Sequence, residues 1–164
     1  MPLIKGGSFV ADPWRDLADD EALPEDGKVI VSHKRWLKER DTLLQSRVSL
    51  GLRLPNDVAP ATLAGDIQRF DLIVLSFPRF TDGRAYSQAR LIRSRLGFRG
   101  ELRASGDVLR DQLLFMQRCG IDAFAVATRA EAENWLSAFA DFDIFYQPGE
   151  DRRPWTMQKR LGIV

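Results

Sequence analysis

Cysteine and histidine each occur once in the 164 residues, as Cys119 and His33. A lone cysteine cannot close an intramolecular disulfide, and it cannot furnish an iron–sulfur cluster or a CxxC redox pair. A lone histidine leaves little with which to build a His-based zinc site or a Ser-His-Asp triad, and no group of acids has metal-ligand spacing. Long apolar runs are also missing. No stretch approaches the ~20 residues of a membrane span, and Met1–Gly7 lacks the apolar centre of a signal peptide. Neither sign of charge dominates: 24 basic residues against 23 acidic ones give a net charge of +1, which predicts no general attraction to nucleic acid or an anionic membrane. No G-x-G-x-x-G follows a strand and no G-x-x-x-x-G-K-[ST] occurs, so the dinucleotide and P-loop fingerprints are absent. The expectation is a cytoplasmic protein with no cofactor, no metal, no nucleic-acid partner and no membrane partner.

What remains is the composition of an ordinary globular domain, 45% hydrophobic and 29% charged, long enough to bury a core as one unit. Three regions are expected: an N-terminal hairpin and acidic connector (1–27), an α/β core (28–140) and a C-terminal docking tail (141–164). Leu3-Ile4 and Phe9-Val10 flank Gly6-Gly7 as a hairpin would, and Trp14 and Leu17 are apolar enough to fold back onto the core. Runs at 28–31, 48–54, 71–77, 101–105 and 122–126 read as strands, the first of them continuously β-branched as in a strand buried on both faces. Between them, helical patterns are expected over 34–45, 61–70, 84–96, 108–119 and 129–139. Ser32, Asp82, Asp107 and Thr128 are their capping residues, and Gly97 and Gly120 stop two of them. In the first helix Trp36, Leu37, Leu43 and Leu44 should face inward. In the third, Ala85, Ala89, Ile92 and Leu96 form the buried stripe, and Tyr86, Arg90 and Arg93 a second one. The tail should dock through Phe145, Tyr146 and Trp155. The βα rhythm predicts a mostly parallel sheet of about five strands with right-handed crossovers; a partial (βα) barrel is the alternative.

Charge is distributed unevenly along the chain. Seven acids lie between Asp12 and Asp26 against one base, whereas eight arginines lie between Arg79 and Arg110 against three acids. In a parallel sheet the loops after the strands share one rim, which gathers Asn56-Asp57, the segment 79–84 and Ser105-Gly106-Asp107. Two readings stand side by side there. Asp82 and Asp107 serve as helix caps and the glycines as turns, with Asp107, Arg110 and Asp111 paired within one helical turn. Alternatively, the rim holds a small oxyanion through Arg79, Arg84 and a helix N-terminus. Candidate ligand-binding residues are Arg79, Asp82, Gly83, Arg84, Tyr86, Ser87, Arg90, Arg103, Asp107, Arg110 and Asp111.

The string Phe77-Pro-x-Phe80-x-Asp82-Gly83-Arg84-x-Tyr86-Ser87-x-Ala89-Arg90, followed by Gly100-Glu-Leu-Arg-Ala104, Gly106-Asp107-Val-Leu and Asp111-Gln112, resembles a bacterial family of unknown function. Its members often carry the label "oxidoreductase probably involved in sulfite reduction". The resemblance implies a place in assimilatory sulfite reduction and cysteine biosynthesis, with sulfite reductase as a partner; it supplies no catalytic residues. Two functions are therefore expected in competition. One is an accessory protein that docks on the reductase without a redox cofactor of its own. The other is an enzyme or binding protein for a small oxyanion-bearing ligand at the rim, with Tyr86 and Asp107 as orienting or proton-transfer groups.

Overall fold

The computed structural model of the chain describes residues 2–126, 129–151 and 153–163, and for 129–132 the backbone alone. The chain is α/β, with one curled mixed sheet of eight strands in the order β2-β1-β8-β7-β6-β5-β4-β3. The strands are β1 Leu3–Lys5, β2 Ser8–Val10, β3 Arg15–Asp16, β4 Lys28–Ser32, β5 Ser49–Leu54, β6 Leu72–Phe77, β7 Glu101–Gly106 and β8 Ala123–Ala125. From β3 to β8 every pairing is parallel; β1 pairs antiparallel with β2 and with β8. All five strands expected from the apolar runs are present. The count of five is corrected to eight, because three short N-terminal strands extend the sheet at both edges. β1 and β2 are the expected N-terminal hairpin, joined to the sheet through β8, whereas β3, at two residues, is too short to show an apolar pattern.

Strand order follows chain order across the parallel part, so successive right-handed crossovers put every helix on the same face. Those helices are α1 His33–Gln45, α2 Arg84–Ser94, α3 Leu113–Arg118 and α4 Arg129–Leu136; α5, Thr156–Arg160, lies in the tail. The main core lies between this layer and the sheet, where Trp36 of α1, Ala85, Ala89 and Ile92 of α2, and Leu113 and Met116 of α3 meet Val29, Val31, Leu52, Leu54, Ile73, Leu75, Phe77 and Phe124. Side chains alternate along a strand, so the residues between these, Ile30, Gly51, Arg53, Leu72, Val74, Glu101 and Arg103, point to the opposite, concave face.

What covers that second face is the N-terminus. Chain leaves β2 at one edge of the sheet and enters β3 at the other, with only residues 11–14 between them. Seven inter-strand steps of ~4.8 Å make an arc of about 34 Å, whereas the five steps from Val10 to Arg15 reach at most ~18 Å. The strap is therefore a chord, and the sheet must curl into a half-barrel to accommodate it. The partial-barrel alternative is the one that fits. Trp14 fills the hollow against Ile30, Leu72 and Val74, with Lys28 Nζ 5.5 Å from its ring centre. Gly51 permits this approach, since a Cβ there would lie 3.2 Å from the Trp14 ring. Asp12 takes both Nη atoms of Arg103 at 2.8 and 3.1 Å, and Asp16 pairs with Arg53 at 2.5 Å.

Several expected elements are corrected. The helix over 61–70 is instead two 3₁₀ turns, Pro60–Leu63 and Ile67–Arg69; Gly65 and Asp66 between them favour a turn over helix continuation. The helix expected from Val108 begins only at Leu113, after a 3₁₀ turn over Arg110–Gln112. Ser32 does cap α1, accepting from the Arg35 N–H at 3.0 Å, and Trp36 and Leu43 are buried there. Leu37, however, is 67% exposed, because Arg35 takes the adjoining inward position, bonded to the Ala18 carbonyl and Glu39. In the tail Phe145 and Trp155 are half-buried and bridged to each other, but Tyr146 is 83% exposed and does not dock. The cap expected at Thr128 and the inward position of Ala132 lie outside the described residues. Among the described residues no helix is long and apolar enough to cross a membrane.

Candidate functional site

The rim at the carboxyl ends of β4–β7 is built around the loop 78–83, which is clamped from both sides. On the β5 side, Asn56, only 8% exposed, donates through Nδ2 to Asp82 Oδ2 at 2.7 Å. From the β7 side, Asp107 Oδ2 accepts the Phe80 N–H at 3.0 Å and Gln112 Nε2 donates to the Phe80 carbonyl at 3.0 Å. The Asp107 N–H in turn reaches the Phe77 carbonyl at 2.8 Å. Gly106, between these, has φ +114° and lies so close to Phe77 that a Cβ would stand 2.3 Å from its carbonyl oxygen. Gln88 of α2 holds the preceding loop, donating to both the Pro55 and Val58 carbonyls at 2.7 Å.

Asp82 is the hub of this arrangement. Its carboxylate accepts from Arg84 Nε at 3.0 Å, Nη2 at 2.7 Å and the Arg84 backbone N–H at 3.2 Å, as well as from Asn56. The cap position itself belongs to Gly83, with no side-chain capping bond, so Asp82 serves α2 from one residue further out. The Arg84 guanidinium holds the Asp82 carboxyl far below the usual carboxylate range, with Asn56 adding to the effect. The positive end of the α2 dipole, where an external anion was expected, already faces a carboxylate of the chain.

The other expected site residues divide cleanly. Arg79, Ser87 and Asp111 are exposed, and none makes a side-chain hydrogen bond or ion pair among the described residues. Arg110 does not pair with Asp107 or Asp111; it binds Asp141 at 3.0 and 3.1 Å, Ser137 and the Asn134 carbonyl, tying the rim to the end of the helical layer. Arg103 lies on the concave face, 3% exposed, between Asp12 and Glu101, away from the rim. Tyr86 turns toward α3, its ring 5.3 Å from Phe77 and 5.1 Å from Phe115. Burial pushes its hydroxyl up to about 12, so it stays protonated at neutral pH and is no general base there. Arg90 is on the same side of α2 and reaches Glu150 only at 4.0 Å. Arg93, next on that stripe, closes the gap to α3 by donating to the Gly120, Phe98 and Gly100 carbonyls and to Asp122.

Three rim residues were not among the sequence candidates. His33 begins α1 with a buried Nε2 that has no hydrogen-bond partner among the described residues, and the same holds for Gln88 Oε1 and Gln112 Oε1. Burial lowers the His33 pKa, opposed by the negative charge of Asp57, which also acts on Arg84. Nothing in the spacing of two glutamines marks them, since an amide that anchors a loop carbonyl leaves no periodic trace. Among the described residues no group of three or more His, Cys, Asp or Glu could hold a metal ion.

Residues 51–156 match the family described as "Bacterial protein of unknown function (DUF934)", and the chain belongs to that family. The match begins inside β5, so the strap, β1–β4 and α1 lie before it. No curated protein matches the chain.

Proposed function

We propose that this member of the family is an accessory protein of assimilatory sulfite reduction, in the service of cysteine biosynthesis, that works by docking on sulfite reductase and not through a redox cofactor of its own. The pathway rests on the resemblance carried by residues 77–90. The mode of action rests on one observation: most arginines of the expected anion site are already matched by the chain's own carboxylates, Arg84 by Asp82, Arg103 by Asp12 and Glu101, and Arg110 by Asp141. An arginine that has spent its donor fork on a bidentate carboxylate has little left for a small oxyanion. Co-purification of tagged protein with sulfite reductase at low ionic strength, weakening as salt rises, is the expected result. A reductase that elutes apart from it at every salt concentration would overturn the reading.

A second reading keeps one observation in its favour. Arg79 stands exposed within the Asp82 loop with no ion pair among the described residues, so the rim retains this cation for an oxyanion-bearing ligand of an enzyme or binding protein. A thermal-shift panel of sulfite, sulfate and phosphate distinguishes the two. Saturating ligand at about 100 times its Kd adds ~2.7 kcal/mol and raises Tm by several degrees; this reading requires that the rise be lost in Arg79→Ala.

A further inference from the structure

Besides Phe80 on the rim, 47% exposed, two exposed aromatics stand together away from it. Phe115 on α3 is 59% exposed and Tyr146 in the tail 83%. They stand in a cleft of about 310 Å³ bounded by Arg90 of α2, Arg118 and Cys119 of α3, and the tail segment 145–150. Gly149 and Glu150 are shared with a second cleft of about 480 Å³, lined by Arg93, Arg99 and Asp122 at the amino ends of β7 and β8. The two clefts adjoin at these residues and together make up the groove. Its floor is rigid. Arg118 lies 4.0 Å from the Phe145 ring centre, bonds Asp151 at 3.0 Å and donates to the Gln147 carbonyl. Arg93 is spent on three carbonyls and Asp122.

The free capacity of the groove is positive and aromatic. Arg90 is 71% exposed and meets Glu150 only at 4.0 Å. Arg99, exposed at the other end, makes no ion pair among the described residues. Of the carboxylates on its walls, Asp122 and Asp151 are each bound to an arginine of the chain, and Glu150 faces Arg90 at 4.0 Å, which leaves Arg99 as the cation without a counter-charge among the described residues. Exposed Tyr, Phe and Arg around a shallow depression is the composition of a protein interface. A small-molecule site would bury most of its ligand, whereas these two rings are mostly open to solvent.

We propose that this groove receives an acidic segment of a protein partner that carries a large apolar side chain. The apolar group seats between Phe115 and Tyr146, and the acidic residues meet Arg90 and Arg99. The inference rests on the docking function proposed above and names its surface and the partner's chemistry.

The test uses the full chain and a fluorescein-labelled peptide of aspartate and glutamate residues around a single tryptophan, followed by fluorescence anisotropy at low salt. Saturable binding is expected, weakened about tenfold or more by Tyr146→Ala and by Arg90→Glu and unchanged by Arg79→Ala on the rim. Both groove residues are exposed, so circular dichroism melts of the variants should match the wild type. Absent saturable binding, or binding equally tight in both groove variants, overturns the proposal. So does a concentration-dependent dimer that Tyr146→Ala abolishes while the peptide fails to bind, which would assign the groove to a second copy of the chain. Repeating the titration with purified sulfite reductase separates the two levels. Binding of peptide but not reductase overturns the accessory function and leaves the groove. Reductase binding undiminished by the two groove substitutions overturns the groove and leaves the function.

Discussion

Gly106 shows how much of the rim depends on a single missing atom. At φ +114° any L side chain is strained, and the Phe77 carbonyl oxygen would lie 2.3 Å from the new Cβ. The Asp107 N–H reaches that same carbonyl, and the Asp107 carboxylate then catches Phe80, so displacement at 106 propagates into the clamp on loop 78–83. Gly106→Ala should cost about 3 kcal/mol, read as a lower urea midpoint at unchanged m-value; a loss below ~1 kcal/mol would show that the loop relaxes freely. Glycine after a strand was legible in the sequence as a turn. Its closeness to Phe77 was not, because the neighbour comes from the adjacent strand, twenty-nine positions away by numbering.

At the scale of elements, the strap over residues 11–14 is the part that patterns conceal. Trp14 is visible as an apolar residue in an acidic stretch, and its folding back onto the core is as expected. Which face it covers follows only from the order of the strands. Trp14→Ala removes its contact with Ile30, Leu72 and Val74 and the Lys28 contact on its ring. For a half-buried aromatic this amounts to about 2 kcal/mol, below the 3–5 of a fully buried one. The strap itself should loosen more than the sheet. Amide exchange over residues 11–17 is expected to accelerate before exchange in β5–β7 changes; uniform acceleration would mean that strap and sheet open as one unit. The two helical misreadings have the same form. Residues 61–70 and 108–112 carry helix-compatible apolar spacing, yet both form 3₁₀ turns, the first stretch being broken at Gly65-Asp66.

For the whole molecule, the half-barrel presents two apolar faces and has helices for one of them. Ile30, Leu72 and Val74, all under 4% exposed, are kept from water by the N-terminal segment. At about 2 kcal/mol each their exposure approaches the total stability of an ordinary domain, and the buried Arg103 would lose Asp12 as well. A chain beginning at Ala18 is expected to lack a cooperative thermal transition. A sharp melt within a few degrees of the full chain would show that the concave face tolerates water. Local pattern along the chain was enough for every feature that spacing carries. Five buried strands, the glycine-bounded hairpin, the Ser32 cap, the inward stripe of α2 and the gathering of polar loops on one rim all follow from spacing and side-chain type. Partnership, by contrast, is set by the folded chain. Arg84, Arg103 and Arg110 look alike in the chain, yet one closes on Asp82 two residues away and the other two on Asp12 and Asp141 from distant segments. Charge neutralisation depends on distances of a few ångströms between segments remote in sequence, and a chord across a curled sheet sets those distances where no periodicity can.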